Sequence, residues 1–228
     1  MGYGDFNLDL PDGENFEPPA ERVAAFQEML LTEPFNLSQP YTNREAWQKV
    51  KDSEAGQKIM QSAREELAED PLLYMTNAIY NYTIEANNRD RINPVMPRFR
   101  GRIGCLPFAA SIEPTGHFLV QFEEDVRALE RLDNWNYPTN QAHHVDGFFP
   151  DLSATNLAAN LASAHFMLRD RLSPEIQKLI PRLVQKQIFD PFEKVIKSGQ
   201  GVYWWVTCTH NWNSVCMAEI LHCALTLK

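Results

Sequence analysis

Apolar residues recur at three- and four-residue steps along most of this chain, a period that restricts it to helices buried through one face. The clearest case is 118–132, where Phe118, Phe122, Val126 and Leu129 share one side. The same spacing predicts a helix opening at Pro18-Pro19 with Val23, Phe26, Leu30 and Leu31 on its apolar face. Asn43 is placed to cap the next, through Trp47 and Val50, and Asp52 or Ser53 restarts it through Ile59, Met60, Ala63 and Leu67. A helix from about Arg98 to Ser111 ends at the breaker Glu113-Pro114-Thr115-Gly116.

Asp151 or Ser153 caps a further helix carrying Leu157, Leu161, Ala164, Phe166 and Leu168. Ser173-Pro174-Glu175 starts another with Ile176, Leu179, Ile180, Leu183, Val184 and Ile188, which Pro191 kinks or divides. Tyr74, Ile79, Tyr80, Tyr82 and Ile84 suit either a helix or a short strand. No alternation of strand and helix is present, and no Gly-rich nucleotide loop. The expected fold is all-α, made of antiparallel helical hairpins, with residues 1–17 an irregular acidic arm and 18–228 the helical domain.

Charge narrows the partners. At net charge -9 the chain lacks the basic footprint of a general nucleic-acid binder, and any site for an acidic polymer must be locally basic. No apolar run approaches the ~20 residues of a membrane span, and the first residues have neither the basic nor the apolar region of a secretory signal. Cys105, Cys208, Cys216 and Cys223 show no metal spacing, and three of them follow one helix pattern, as small buried hydrophobes do. No metal site and no cofactor are expected.

The stretch 199–224 stands apart: Trp204, Trp205, His210, Asn211, Trp212 and Asn213 crowd the start of a helix whose apolar side is Val215, Cys216, Ile220 and Cys223. The run Trp-Trp-x-Thr-x-Thr-x-Asn-Trp-Asn-x-Val-Cys resembles the Asn-Trp-Asn motif in the helical domain of heparinase II/III-type polysaccharide lyases. The likeness covers roughly residues 43–228, with 99–106, 133–138 and 151–172 in the expected order. It implies an α/α toroid, incomplete because the helices here are fewer than a full toroid of that family carries. The missing C-terminal part and a β-sheet domain are then expected partners. That family is commonly exported, so localisation stays open between a protein acting inside the cell and one whose true N-terminus lies upstream.

The resemblance further implies β-elimination at a uronic acid of an acidic polysaccharide. Asn211 matches the Asn that meets the sugar carboxylate, and an amide at a helix N-terminus suits that task on physical grounds. His210, where the family often has another Asn, is a candidate donor or proton shuttle. Trp204, Trp205 and Trp212 offer flat faces for sugar rings, with Asn213 beside them; each Trp is also readable as a core anchor, and Asn211 as a plain helix cap. His143 and His144 sit on a long aromatic loop, 133–150, of the kind that often carries function. Arg89, Arg91, Arg98, Arg100 and Arg102 form the one basic cluster, with Arg98 and Arg102 on one helix face; such a cluster is suited to gripping sulfate or carboxylate, unless the surplus acids pair with it. The family's base falls in sequence beyond Lys228, so the chain is expected to hold part of the catalytic set. Two alternatives stay open: a non-catalytic carbohydrate-binding domain, and a glycoside hydrolase, for which Asp133, Asp146 and Glu219 are the available acids.

Overall fold

The computed structural model describes residues 19–30, 33–68, 75–141, 149–198, 204–207 and 209–227. Among them every regular element is helical, as the apolar period requires. In chain order these are α1 (Ala20–Met29), α2 (Arg44–Asp52), α3 (Glu54–Ala68), α4 (Asn77–Glu85), α5 (Met96–Ile112) and α6 (His117–Glu130). The short α7 (Pro138–Gln141) precedes α8 (Leu152–Leu168), α9 (Pro174–Val184), α10 (Asp190–Ser198), α11 (Trp204–Thr207) and α12 (Asn211–Thr226).

The caps explain the boundaries. Asn43 Oδ1 accepts from the Ala46 N–H at 3.2 Å, and Asp151 Oδ1 accepts from the N–H groups of Ser153 and Ala154 at 2.8 and 3.0 Å. Ser53 Oγ opens α3 by accepting from the Gly56 N–H. The segment readable as helix or strand is helix, α4, held at its start by Thr76 Oγ1 on the Ile79 N–H. Gly116 precedes α6 with φ 93°, a left-handed turn that reverses the chain into the α5–α6 hairpin. Pro191 does not divide its helix: α9 runs into α10 through a π-helical turn, Gln185–Phe189, whose wider spacing absorbs the missing proline N–H.

The packing has two layers. α5, α8 and α12 lie side by side; α3 and α6 pack on α5, and α9 on α6 and α8. Hydrogen bonds give the directions. Arg100 near the start of α5 reaches Ser153 and Asn156 near the start of α8, and Arg171 just past α8 reaches the Ala110 carbonyl near the end of α5. Trp205 reaches Pro150 ahead of α12 and α8, and Asn36 ties Ser163 to Thr226 toward their far ends. The three helices therefore run parallel, their N-termini at one end. Helix α6 returns antiparallel to α5, and α9 antiparallel to α8.

Between the layers Ile103, Leu106, Phe122, Leu129, Leu161, Met167, Ile176 and Ile180 are fully buried. One ion pair lies inside: Arg102 Nη2 and Nε meet Asp125 Oδ1 and Oδ2 at 2.5 and 3.0 Å, with both side chains at most 4% exposed. Gln121 donates to the same carboxylate. Such a pair is a poor source of net stability, but its halves cannot be separated cheaply.

Ahead of α2, the Phe35–Asn36 segment is sewn onto α8 and α12. The Phe35 N–H donates to the Leu225 carbonyl, the Thr226 hydroxyl donates to the Phe35 carbonyl, and Asn36 Nδ2 lies 3.2 Å from both His222 Nε2 and Thr226 Oγ1. Ser163 Oγ is 2.9 Å from the same His222 nitrogen. Before this tether, α1 has no buried residue, and Phe26 and Met29 stand 54% and 72% exposed.

Candidate functional site

The end where α5, α8 and α12 begin gathers most of the residues singled out in the sequence. Helix α12 starts on His210, whose Nδ1 accepts weakly from the Trp212 N–H at 3.4 Å. Asn211 is thus the first helical residue rather than the cap, and it is exposed. Its amide stands at the positive end of a sixteen-residue helix. Since Thr155 pairs with Glu219, and Ser163 and Thr226 share Asn36, α12 begins about one turn beyond the start of α8. Asn211 therefore projects past its neighbour.

Its flanking residues mostly serve the scaffold. Asn213 Nδ2 donates to the Val206 carbonyl at 2.6 Å, fastening α11 to α12. Trp212 is half-buried against the core. Trp205, read as a possible stacking face, is 0% exposed: its ring packs against Phe149 and Phe192, centroids 5.1 and 6.5 Å away, and its Nε1–H donates to the Pro150 carbonyl. A wholly covered indole offers no face to a sugar, so the core-anchor reading holds for this one. The side chain of Trp204, and all of His143 and His144, lie outside the described residues.

Arg98 and Arg102 require the other correction. Both are taken by acids, Arg98 Nε by Glu66 at 2.9 Å and Arg102 by Asp125, so the shared face points into the α3–α5–α6 packing. Arg100, named with them in the basic cluster, behaves differently. Two residues from each, it turns to the opposite side, where Nη1 donates to Ser153 Oγ at 3.3 Å and Nη2 to Asn156 Oδ1 at 2.8 Å. Asn156 Nδ2 in turn donates to Glu219 Oε1 at 3.0 Å, and Thr155 Oγ1 to Glu219 Oε2 at 2.6 Å. One amide on α8 thus bridges a cation on α5 and an acid on α12. Helix phase was the available signal: 100 falls opposite 98 and 102.

The loop base beside α8 is built around Asp151, also missed as more than a cap. Its second oxygen accepts from the Tyr137 N–H at 2.8 Å and from Asn140 Nδ2 at 2.6 Å. Asn136 donates to the Phe149 carbonyl and accepts from the Asp151 N–H, closing both ends of the aromatic loop. Burial pushes the Asp151 carboxyl above its usual range, against the pull of its four donors. The Tyr137 hydroxyl donates to Asn93 Oδ1 at 2.6 Å, and Arg89 lies over the Tyr137 ring, 5.5 Å from its centroid.

Of the acids weighed for hydrolysis, Glu219 is engaged as above, Asp133 is exposed, and Asp146 lies outside the described residues. A separate cavity of about 400 Å³ opens between the start of α4 and the end of α6, lined by Met75, Asn77, Glu124, Ala128, Arg131 and Leu132. Among the described residues no group of three His, Cys, Asp or Glu is arranged to hold a metal ion, and no helix is long and apolar enough to cross a membrane. Comparison of the chain with protein-family models and with curated proteins finds no match.

Proposed function

We propose that this chain is a polysaccharide-lyase-type helical domain of α/α toroid architecture, receiving a uronate carboxylate at Asn211 for β-elimination. The observation that carries the reading is the placement of that amide: exposed, at the first position of α12, with His210 rather than Asn211 serving as cap. An amide donor at a helix N-terminus meets a carboxylate without adding a competing acid. As the proton beside that carboxylate leaves, charge grows on its oxygens, and a donor already in position lowers the barrier. His210, one residue earlier and exposed, is a candidate for moving the proton. The parallel row α5–α8–α12 with return helices on one side is the hairpin layering such a toroid would need.

Titration calorimetry with oligosaccharides of heparin, alginate and chondroitin tests the reading. Saturable binding of at least one is expected, weakened about tenfold in Asn211→Ala with no change in unfolding midpoint. Absence of binding to all three defeats it. Following unsaturated-uronate absorbance in the same mixtures separates a complete lyase from a binding-only domain.

A further inference from the structure

Several arginines of the outer layer and its contacts are ion-paired: Arg64 with Glu113, Arg98 with Glu66, Arg102 with Asp125, Arg127 with Glu175, and Arg182 with Glu130, while Arg131 donates to the Arg127 carbonyl and Arg91 and Arg169 rest on the Tyr82 and Phe166 rings. Arg44 and Arg171 are spent on helix-terminal carbonyls at the opposite end, those of Ser111, Ile112 and Ala110. At the N-terminal end of α8 the pattern reverses. Arg89 donates to the Thr139 hydroxyl at 2.8 Å and rests on the Tyr137 ring, and Arg100 holds only a hydroxyl and an amide. Neither has a carboxylate within ion-pair distance among the described residues, and Arg100 Nε–H, covered from solvent, has no acceptor there.

We infer that the N-terminal end of α8 is an oxyanion subsite in which Arg89 and Arg100 take a sulfate or carboxylate group of an acidic saccharide. This rests on the proposed function and extends it to a second contact beside Asn211. The two guanidiniums flank Asp151, linked to it through Tyr137 on one side and Ser153 on the other. Asp151 forms no ion pair with either among the described residues, its oxygens accepting instead from four N–H donors. Glu219 is a further opposing charge along the network, and the Asn156 amide stands between it and Arg100. In an acidic chain, two cations without an ion-pair partner among the described residues, at the end where three helix N-termini converge, make an arrangement suited to an anionic ligand. Arg89 is exposed and stacked on a ring, so it presents both a charge and an adjoining flat surface.

The test uses Arg89→Gln, Arg100→Gln and Arg100→Lys, with Arg182→Gln as a surface control, against inorganic sulfate, a heparin oligosaccharide and an alginate oligosaccharide. Binding is read by calorimetry, and the arginine Nε–H resonances by NMR. The expected result is saturable sulfate-induced shifts at Arg89 and Arg100, and about a tenfold loss of oligosaccharide affinity in each Gln variant. Arg182→Gln binds as wild type, and Arg100→Lys recovers part of the loss. Heparin binding without alginate binding assigns the subsite to sulfate; equal binding assigns it to carboxylate. If oligosaccharides bind and Asn211→Ala weakens them while both Gln variants match wild type, the subsite is overturned and the proposed function stands. If no oligosaccharide binds yet sulfate shifts both arginines, the anion site stands and the lyase reading falls. Absence of both responses overturns the subsite.

Discussion

Trp205 donates its indole N–H to the carbonyl of Pro150 across 3.0 Å, joining the chain ahead of α12 to the chain ahead of α8. Fifty-five residues separate them in sequence, and the bond is fully buried. Trp205→Ala removes a ring packed on Phe149 and Phe192 and strands that carbonyl, so a loss of about 3–5 kcal/mol is expected in urea unfolding. Trp205→Phe keeps most of the packing and is expected to lose about 1–3 kcal/mol, the cost of the unpaired acceptor.

Arg102 and Asp125 supply a prediction of opposite logic. Removing either alone leaves a buried charge, and Arg102→Leu or Asp125→Leu is expected to cost about 3–5 kcal/mol. The double replacement removes both charges, so it is expected to recover most of that loss. A double-mutant cycle in guanidinium chloride measures the coupling; additive losses would contradict the pairing.

Two glycines are predicted to respond in opposite directions. A Cβ on Gly56 would stand 1.8 Å from the Val50 carbonyl oxygen, a backbone atom unable to give way without shifting the α2–α3 junction. Gly56→Ala is therefore expected to destabilise by about 3 kcal/mol. Gly101 lies exposed within α5 with nothing within 4 Å of its would-be Cβ, so Gly101→Ala is expected to stabilise by about 0.8 kcal/mol. Thermal melts of the two variants decide both.

Burial holds His222 and His165 below the ordinary histidine value of 6.5. Both are therefore favoured neutral in the folded chain, while the unfolded chain takes up protons near 6.5. Their contribution to stability is full above that value and is lost as pH falls through the depressed folded values. For His222 the geometry adds a cause: neutral Nε2 can accept from Ser163 and Asn36, whereas a protonated ring confronts the Asn36 amide with a second donor. Melting temperature is expected to drop from pH 7 to pH 5, and His222→Gln to flatten part of that slope.

Helix period and cap chemistry were readable from the chain, because Asn43 and Asp151 act on N–H groups two or three residues away. Local signals of that kind carried the all-α class and the break between α5 and α6. The two readings of the basic cluster, anion grip or pairing with acids, could not be separated in the sequence because the decisive partners are remote: Glu66 lies 32 residues from Arg98, and Asp125 lies 23 from Arg102. Spacing within one helix shows which arginines share a face, but not what that face meets. Trp205 was ambiguous for the same reason, since its cover comes from Phe149 and Phe192 on other segments. The partners of Arg100 became visible only when α8 supplied Ser153 and Asn156.

The stitch at Phe35 and Asn36 carries a consequence for synthesis. Its acceptors and donors on α12 lie up to 191 residues downstream, so a nascent chain exposes this stretch until α12 has left the ribosome.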